Sequence, residues 1–134
     1  MEALIIESTD FTPRVSFDKD SRTIRIEGVS RPENVSAFYG QVLDLMTGYE
    51  SELYKNKVLG GKKSDLNVVF KFSYFNSASA KMIYNLLESL LRIKNMGYKV
   101  NIDWYYEESD DQMHDDGEEL SEAIDIPFNF HEGY

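Results

Sequence analysis

A strand-like segment that runs directly into a polar turn and a helix constrains this chain more than any other feature. Residues 66–75 are mostly apolar and strand-length, and the composition predicts a buried β-strand. The next four residues, Asn76-Ser77-Ala78-Ser79, are typical of a helix start, because Asn and Ser side chains accept hydrogen bonds from free N–H groups. Apolar residues then recur at helical spacing until Gly97, which is expected to end the helix.

The two faces of residues 66–75 predict where the strand lies in its sheet. One face carries five apolar side chains: Leu66, Val68, Phe70, Phe72 and Tyr74. The other face carries Val69 and Phe75. A strand that is apolar on both sides is usually central and covered on both faces. We therefore expect a central strand that other elements cover on both of its faces.

The remaining segments complete an alternation of strands and helices. Further strands are predicted at residues 3–7, 14–18, 22–27, 98–104 and 127–130, with a hairpin turn at 18–21. Gly28 is expected to end the third strand, and a long amphipathic helix is expected to end near Lys55. The order predicts an α/β fold, with a mixed sheet and helices packed on it, in a single domain over residues 1–134.

The start of the long helix has two predicted positions. Ser30 and Glu33 fit a capping box, and Pro32 suits a first helical turn. Arg31 precedes a proline, and such a residue avoids the helical region. The helix therefore begins either at Pro32 or just after Asn34.

The segment from 103 to 125 holds eleven acids and neither Lys nor Arg. Residues 118–124 are expected to form a short helix within it. The rest reads as a solvated acidic loop, which could attract a basic partner.

Composition and charge exclude several classes of function. The net charge is −10, which disfavours binding to nucleic acid and to anionic membranes. No apolar run is long enough for a membrane span, and Leu4-Ile5-Ile6 is too short for a signal peptide. The chain has no cysteine, which excludes disulfides and thiolate chemistry and fits a cytoplasmic protein.

Catalytic and metal-binding patterns are also missing from the sequence. His114 and His131 are the only histidines, and each lies in a polar segment without an evident catalytic partner. Residues 60–63 lack the first glycine and the hydroxyl residue of a phosphate-binding loop. Placing Gly117 at the glycine of a calcium loop leaves Gln112 and Ala123 at the end positions, where ligands are required. We therefore expect no enzyme activity, no cofactor and no metal.

The turn at residues 76–79 remains as the candidate site, and it has two interpretations. The first is simple capping by Asn76 and the serines. The second is phosphorylation, because a phosphate at this position would lie against free N–H groups and the positive end of the helix dipole. It would also add nearly two negative charges at one point on the surface.

At this turn the sequence resembles the STAS domains of anti-sigma-factor antagonists and, over more of the chain, the SiaC family of small bacterial regulatory proteins. The shared motifs span about residues 30 to 128. They are Arg31-Pro32-Glu33-Asn34, Tyr74-Phe75-Asn76-Ser77-Ala78-Ser79, Val100-Asn101-Ile102-Asp103-Trp104-Tyr105-Tyr106 and Ile126-Pro127-Phe128.

The resemblance implies a non-enzymatic partner-switching protein. A cognate Ser/Thr kinase would phosphorylate it, a metal-dependent PP2C-type phosphatase would reverse this, and the unmodified form would bind an effector such as a diguanylate cyclase. Ser77 matches the phospho-acceptor, where the family also carries Thr. The resemblance further implies that Asn76, Ser79, Glu33 and Asn34 contribute to partner binding.

Two other hypotheses stay open from the sequence. The chain could be a constitutive scaffold or oligomerisation module in which Ser77 is only a helix cap. It could also be an enzyme or small-ligand binder that uses the acidic segment and His114, although no nucleophile and base are paired in the sequence.

Overall fold

The computed structural model describes residues 3–134, and it contains six strands and three helices in that range. In chain order these are β1 (Leu4–Ile6), β2 (Arg14–Asp18), β3 (Thr23–Ser30), α1 (Val35–Val58), β4 (Leu66–Phe75), α2 (Ser77–Asn95), β5 (Val100–Tyr106), α3 (Asp111–Ile124) and β6 (Asn129–Glu132). The predicted α/β class is therefore confirmed.

All six strands form one mixed sheet, and their spatial order equals their order in the sequence. The hairpins β1–β2 and β2–β3 are antiparallel, whereas β3, β4, β5 and β6 are parallel neighbours. Each parallel connection passes through one helix and moves one strand further in the same direction. Because such crossovers are right-handed, this topology places α1, α2 and α3 on the same face of the sheet.

The core lies between that face and the three helices. Its centre is Trp104 of β5, whose ring lies 5.4 to 6.1 Å from the rings of Phe70, Phe72, Phe75 and Phe128. Val69 is buried but does not belong to this core, because it points to the opposite face of β4. That face has no helix among the described residues. The prediction that β4 is covered on both sides was therefore wrong.

A β-bulge where β3 and β4 pair corrects two further predictions. The register skips Ser73, so that Gly28 pairs with Phe72 and Val29 pairs with Tyr74. The extra residue reverses the alternation. Phe75 consequently packs on Phe72 in the core, while Tyr74 is 49% exposed. Gly28 adopts a φ of +114° and β3 continues past it to Ser30, instead of ending there.

Helix α1 begins just after Asn34, the second of the two predicted positions. The Asn34 side chain accepts a 3.0 Å hydrogen bond from the Ala37 N–H. The capping box of Ser30 and Glu33 was wrong, because Ser30 is the last residue of β3. The helix ends at Val58, slightly beyond the predicted position.

Helix α3 is twice as long as the predicted segment 118–124. It begins after Asp110, whose carboxylate accepts a hydrogen bond from the Met113 N–H at 3.1 Å. Gly117 lies within the helix, and the Trp104 ring is packed against it, so that a Cβ at this position would lie 2.5 Å from Trp104 Nε1. The same indole nitrogen donates a hydrogen bond to the Met113 carbonyl at 3.0 Å. None of the helices in residues 3–134 is long and apolar enough to cross a membrane.

The contact between Gly117 and Trp104 generates a stability prediction. Replacing Gly117 by Ala should lower the free energy of unfolding by about 1–3 kcal/mol, since the clash in a packed core outweighs the gain in helix propensity. Urea unfolding measures the change. Gly48→Ala in α1 is the matched control, because its Cβ would meet nothing within 4 Å. That variant should gain about 0.5–1 kcal/mol. Equal stabilisation of both variants would contradict the proposed packing.

Candidate functional site

Three helix N-termini lie along one edge of the sheet, where the parallel strands β3, β4 and β5 end. Each is capped by an amide or carboxylate side chain that accepts a hydrogen bond from the backbone N–H three residues later. The capping residues are Asn34, Asn76 and Asp110. This edge therefore gathers the residues that the sequence singled out around α1 and α2.

The predicted turn starts helix α2 as expected, with Asn76 as the capping residue. Asn76 has extended backbone angles (φ −85°, ψ 173°), and its Oδ1 accepts from the Ser79 N–H at 2.9 Å. Its carbonyl accepts from the Ala80 N–H, also at 2.9 Å. Ser77 is the first residue of the helix and is exposed to solvent. The cap is therefore Asn76 and not Ser77.

The carbonyl oxygen of Ser30, at the end of β3, holds the turn in place. It accepts one hydrogen bond from the Asn76 N–H at 3.0 Å and a second from the Ser79 hydroxyl at 3.1 Å. A carbonyl oxygen has two lone pairs, so both can be accommodated. The start of α2 is thus fixed to the neighbouring strand by its backbone and by a side chain.

Three buried hydroxyls form a chain beneath the turn. The Ser30 hydroxyl donates to the Ser79 hydroxyl at 2.9 Å, and Ser79 in turn donates to the Ser30 carbonyl. Each hydroxyl has one proton, so the Tyr39 phenol must donate its own proton to Ser30 across 2.5 Å. Burial raises the pKa of Tyr39, while the hydrogen bonds with Ser30 and Ser79 partly offset that rise. The phenol therefore stays protonated and can act as this donor.

The two serines of the turn consequently differ in accessibility. Ser79 is 0% exposed and both hydrogen-bonding capacities of its hydroxyl are used internally. Direct partner contact, as predicted for Ser79 from the sequence, does not fit this burial. Ser77 is the exposed hydroxyl of the turn.

Glu33 and Asn34 lie in the loop that leaves β3 beside this turn. Ser30 pairs with Phe75 in the sheet, so the segments that follow each strand start next to each other. Both side chains are exposed. The Asn34 oxygen is engaged as the α1 cap, whereas Glu33 projects from the surface. The structure therefore brings Glu33, Asn34 and Asn76 to the same edge.

A groove of about 290 Å³ lies on the other side of the turn, between α2 and α3. Phe75, Ala80 and Leu120 contribute to its apolar floor, and Asp116 and Glu119 add negative charge to it. Ala80 is one helical turn after Ser77. The apolar floor of this groove suits an apolar side chain of a partner protein.

The start of α2 can accommodate a negative charge. The first turn contains no acid. By helix geometry, the N–H groups of Ser77 and Ala78 have no carbonyl partner within the helix. Lys81 follows Ser77 by four residues on the same helix face and is exposed. These features together favour an anionic group attached at Ser77.

Both histidines contact carboxylate side chains, which the sequence did not reveal. His131 Nε2 lies 2.8 Å from an Asp103 carboxylate oxygen, and its ring stacks on Tyr105. His114 is surrounded by Asp115 and Glu118, and ligand-type atoms of these three lie within 4.8 Å of one another. All three are at least partly exposed, and exposed acidic groups of this kind are common without an ion. The absence of metal and of enzyme activity stays a prediction.

The sequence did not reveal the supporting role of Ser30 and Tyr39. Tyr39 reads as one more apolar position of α1, and Ser30 lies 49 residues before its partner Ser79. The one available signal was a polar residue at the end of a strand that is buried on one face. Such a residue needs a hydrogen-bond partner, but the sequence does not say which one.

The hydroxyl chain predicts different stability effects for neighbouring serines. Ser79→Ala should lower the free energy of unfolding by about 1–3 kcal/mol, because it leaves the buried Ser30 hydroxyl without its acceptor. Asn76→Ala should cost about 1 kcal/mol through loss of the cap. Ser77→Ala should change stability by less than about 0.5 kcal/mol, since Ser77 is exposed and does not cap. Chemical denaturation of the three variants would contradict the assignment if Ser77→Ala were the most damaging.

The comparisons with known proteins agree with these features. The chain is 26% identical over 128 residues to an uncharacterized protein of Pseudomonas aeruginosa (strain UCBPP-PA14), and the match covers 96% of this chain and 94% of that protein. It superimposes on the crystal structure of apo-SiaC from Pseudomonas aeruginosa with a TM-score of 0.79 and 25% identity, covering 100% of both chains.

A second solved structure contains the diguanylate cyclase SiaD of the same organism in complex with its activator SiaC. The matched chain of that complex superimposes on the present chain with a TM-score of 0.83 and 24% identity. The match covers 98% of the present chain and 99% of the matched chain. A family model described as SiaC family regulatory phosphoprotein matches residues 6–133. The resemblance found in the sequence motifs is thereby confirmed, and the chain belongs to the SiaC family of regulatory phosphoproteins.

Proposed function

We propose that this chain is a non-enzymatic partner switch controlled by reversible phosphorylation of the Ser77 hydroxyl. The observation that carries the proposal is the contrast within one turn. Ser77 is exposed at the first position of α2, whereas Ser79 is buried and hydrogen-bonded. Only Ser77 offers a hydroxyl of this turn to a kinase without local unfolding.

A phosphate on Ser77 would be tolerated by the fold. It would accept hydrogen bonds from the free N–H groups of the first turn and would interact favourably with the helix dipole. Lys81 offers a counter-charge one turn away. The chain of hydroxyls below the turn does not include Ser77, so the modification leaves the attachment of α2 to β3 intact.

The modification would change the surface that a partner meets. It adds about −1.5 to −2 charges beside a groove that already carries Asp116 and Glu119. A partner that fits the unmodified apolar groove would then face a bulky and strongly hydrated group at its end. Glu33, Asn34 and Asn76 complete the surface on the other side, and we assign them to contact with the kinase or the effector.

The family points to the class of partners. The SiaC relative in complex with a diguanylate cyclase suggests an effector of that class, bound by the unmodified form. A cognate Ser/Thr kinase would add the phosphate and a PP2C-type phosphatase would remove it. We expect these encounters to take place in the cytoplasm.

The scaffold hypothesis loses its original basis at Ser77. It required Ser77 to act as the helix cap, but the capping oxygen belongs to Asn76. The remaining difference between the two hypotheses is whether a charge at Ser77 changes binding.

Phosphorylation by the cognate kinase with ATP should add one phosphate, at Ser77. Mass spectrometry of the intact chain and of its peptides measures this. Ser77→Ala should abolish labelling, whereas Ser36→Ala should be labelled normally. Ser36 is the matched control because it is an exposed serine in the first turn of the neighbouring helix α1. Full labelling of Ser77→Ala would refute the proposed site.

Binding to the effector should depend on charge at Ser77. Ser77→Asp should raise the dissociation constant at least about tenfold, which corresponds to a loss of about 1.4 kcal/mol of binding free energy. Ser77→Ala should bind like the unmodified protein. Isothermal titration calorimetry measures both, with circular dichroism to verify folding. Ser51→Asp adds the same charge at an exposed position of α1 far along the helix from Glu33 and Asn34, and it should have little effect. Equal binding by Ser77→Asp and Ser77→Ala would support the scaffold hypothesis instead.

A further inference from the structure

The ends of α1 and α2 lie together at the edge of the sheet opposite to the Ser77 turn. Tyr98, just after α2, donates to the Leu53 carbonyl in the last turns of α1 at 2.8 Å. The Asn56 amide donates to the Tyr98 hydroxyl at 2.8 Å and to the Lys62 carbonyl at 2.9 Å, which attaches the loop after α1. Helix α1 has 24 residues and therefore spans about 36 Å. Nothing in the proposed phosphorylation switch uses this end of the molecule.

Three large apolar side chains at the end of α1 are exposed to solvent. Tyr54, Val58 and Leu59 are 57%, 66% and 84% exposed. They are three of the seven large apolar side chains that are exposed in residues 3–134, and they lie within six consecutive positions. Tyr54 and Met96 line a groove of about 340 Å³ between the ends of α1 and α2. Single exposed apolar residues are common, whereas a cluster beside a groove is typical of a protein contact surface.

Four exposed lysines accompany these apolar side chains: Lys55, Lys57, Lys62 and Lys63. Residues 53–64 contain no Asp or Glu. Even when the flanking acids Glu52 and Asp65 are both counted against the four lysines, two positive charges remain in excess. Glu50 also lines the groove, but its carboxylate forms an ion pair with Arg92 at 2.9 Å. The surface is therefore apolar with a basic border.

The helix dipole accounts for only part of this basic border. Lysines in the last turn of a helix are favourable, and two of the four lie in the last turn of α1. Lys62 and Lys63 lie in the loop beyond the helix, and the exposed apolar side chains gain nothing from a dipole. The loop is closely packed on α1, because a Cβ at Gly61 would lie 1.8 Å from the Asn56 side-chain oxygen. These features together indicate a surface for binding.

We propose that this surface, at the ends of α1 and α2, docks an acidic amphipathic segment of a partner protein. Apolar side chains of the segment contact Tyr54 and Val58 and enter the groove beside Met96, while its carboxylates face the four lysines. The net charge of −10 does not prevent this contact, because exposed charges more than about 8 Å apart are largely screened at physiological ionic strength.

A flat anionic membrane fits the same end less well. The hairpin turn at 18–21 lies at this end, since it precedes β3 as the basic loop precedes the parallel strand β4. Its carboxylates Asp18 and Asp20 are exposed and would approach a flat surface together with the lysines. A single segment in the groove avoids them. The shape and the charge of this end therefore favour a protein segment.

The test titrates the full-length protein with a synthetic helical peptide that has leucines along one face and glutamates elsewhere. A peptide of the same composition, with its leucines distributed around the helix, is the control. Backbone amide shifts in ¹H–¹⁵N NMR spectra should be saturable at residues 54–63 and at Met96 with the first peptide only. Absent shifts, or equal shifts with both peptides, would overturn the proposal.

Two other occupants have their own signatures. Shifts at residues 54–63 that grow with protein concentration, without peptide, would indicate a second copy of the chain. Co-sedimentation with phosphatidylglycerol vesicles, in the absence of peptide binding, would indicate a lipid surface. Either result would overturn the assignment to a protein partner.

Charge variants separate recognition from folding. Lys62→Glu should raise the dissociation constant of the first peptide at least about fivefold. Lys19→Glu is the matched control, because it reverses the charge of an exposed loop lysine outside this surface, and it should bind normally. Both positions are exposed, so circular dichroism should show the same fold for both variants. Equal binding by the two variants would contradict the proposed surface.

Two variants separate this surface from the proposed switch. Ser51 lines the groove, so Ser51→Asp should weaken binding of the acidic peptide while it leaves binding of the effector unchanged. Ser77→Asp should have the opposite pattern. Unchanged peptide binding in Ser51→Asp would overturn the docking surface, whereas unchanged effector binding in Ser77→Asp would count against the switch alone.

Discussion

The carbonyl oxygen of Ser30 is the point on which the organisation of the functional edge depends. It accepts from the backbone of Asn76 and from the hydroxyl of Ser79, while the Ser30 hydroxyl connects to Tyr39 of α1. One residue at the end of β3 therefore fixes the starts of two helices. This buried attachment leaves the exposed residue between them, Ser77, without a structural duty. A surface residue that the fold does not need is free to carry a regulatory charge.

The one-sided topology of the sheet explains where the partner surface lies. Three crossovers in the same direction place all helices on one face and align their N-termini along one edge. The edge therefore presents three capped helix starts, with an apolar and acidic groove between α2 and α3. Helix α3 approaches the sheet closely because Gly117 admits the Trp104 ring. The groove beside Ser77 thus depends on a glycine forty residues away in the chain.

The opposite edge has a different character. It carries the basic loop after α1 and the exposed side chains of Tyr54, Val58 and Leu59. Helix α1 spans both edges, since its cap Asn34 lies near the Ser77 turn and its last turn carries Val58. The two ends of the parallel strands therefore present different side chains.

Local chemistry in the sequence determined the α/β alternation, the hairpin at 18–21, the start of α2 at Asn76 and the exposed position of Ser77, because strand periodicity and capping act over a few residues. The family motifs identified the SiaC family. Tertiary structure decided what depends on distant partners. Because of the bulge at Ser73, Phe75 and not Tyr74 packs in the core. The acidic segment forms a full helix whose Gly117 packs against the Trp104 ring. The Ser30 hydrogen bonds buried Ser79, because that serine's partner lies on another strand.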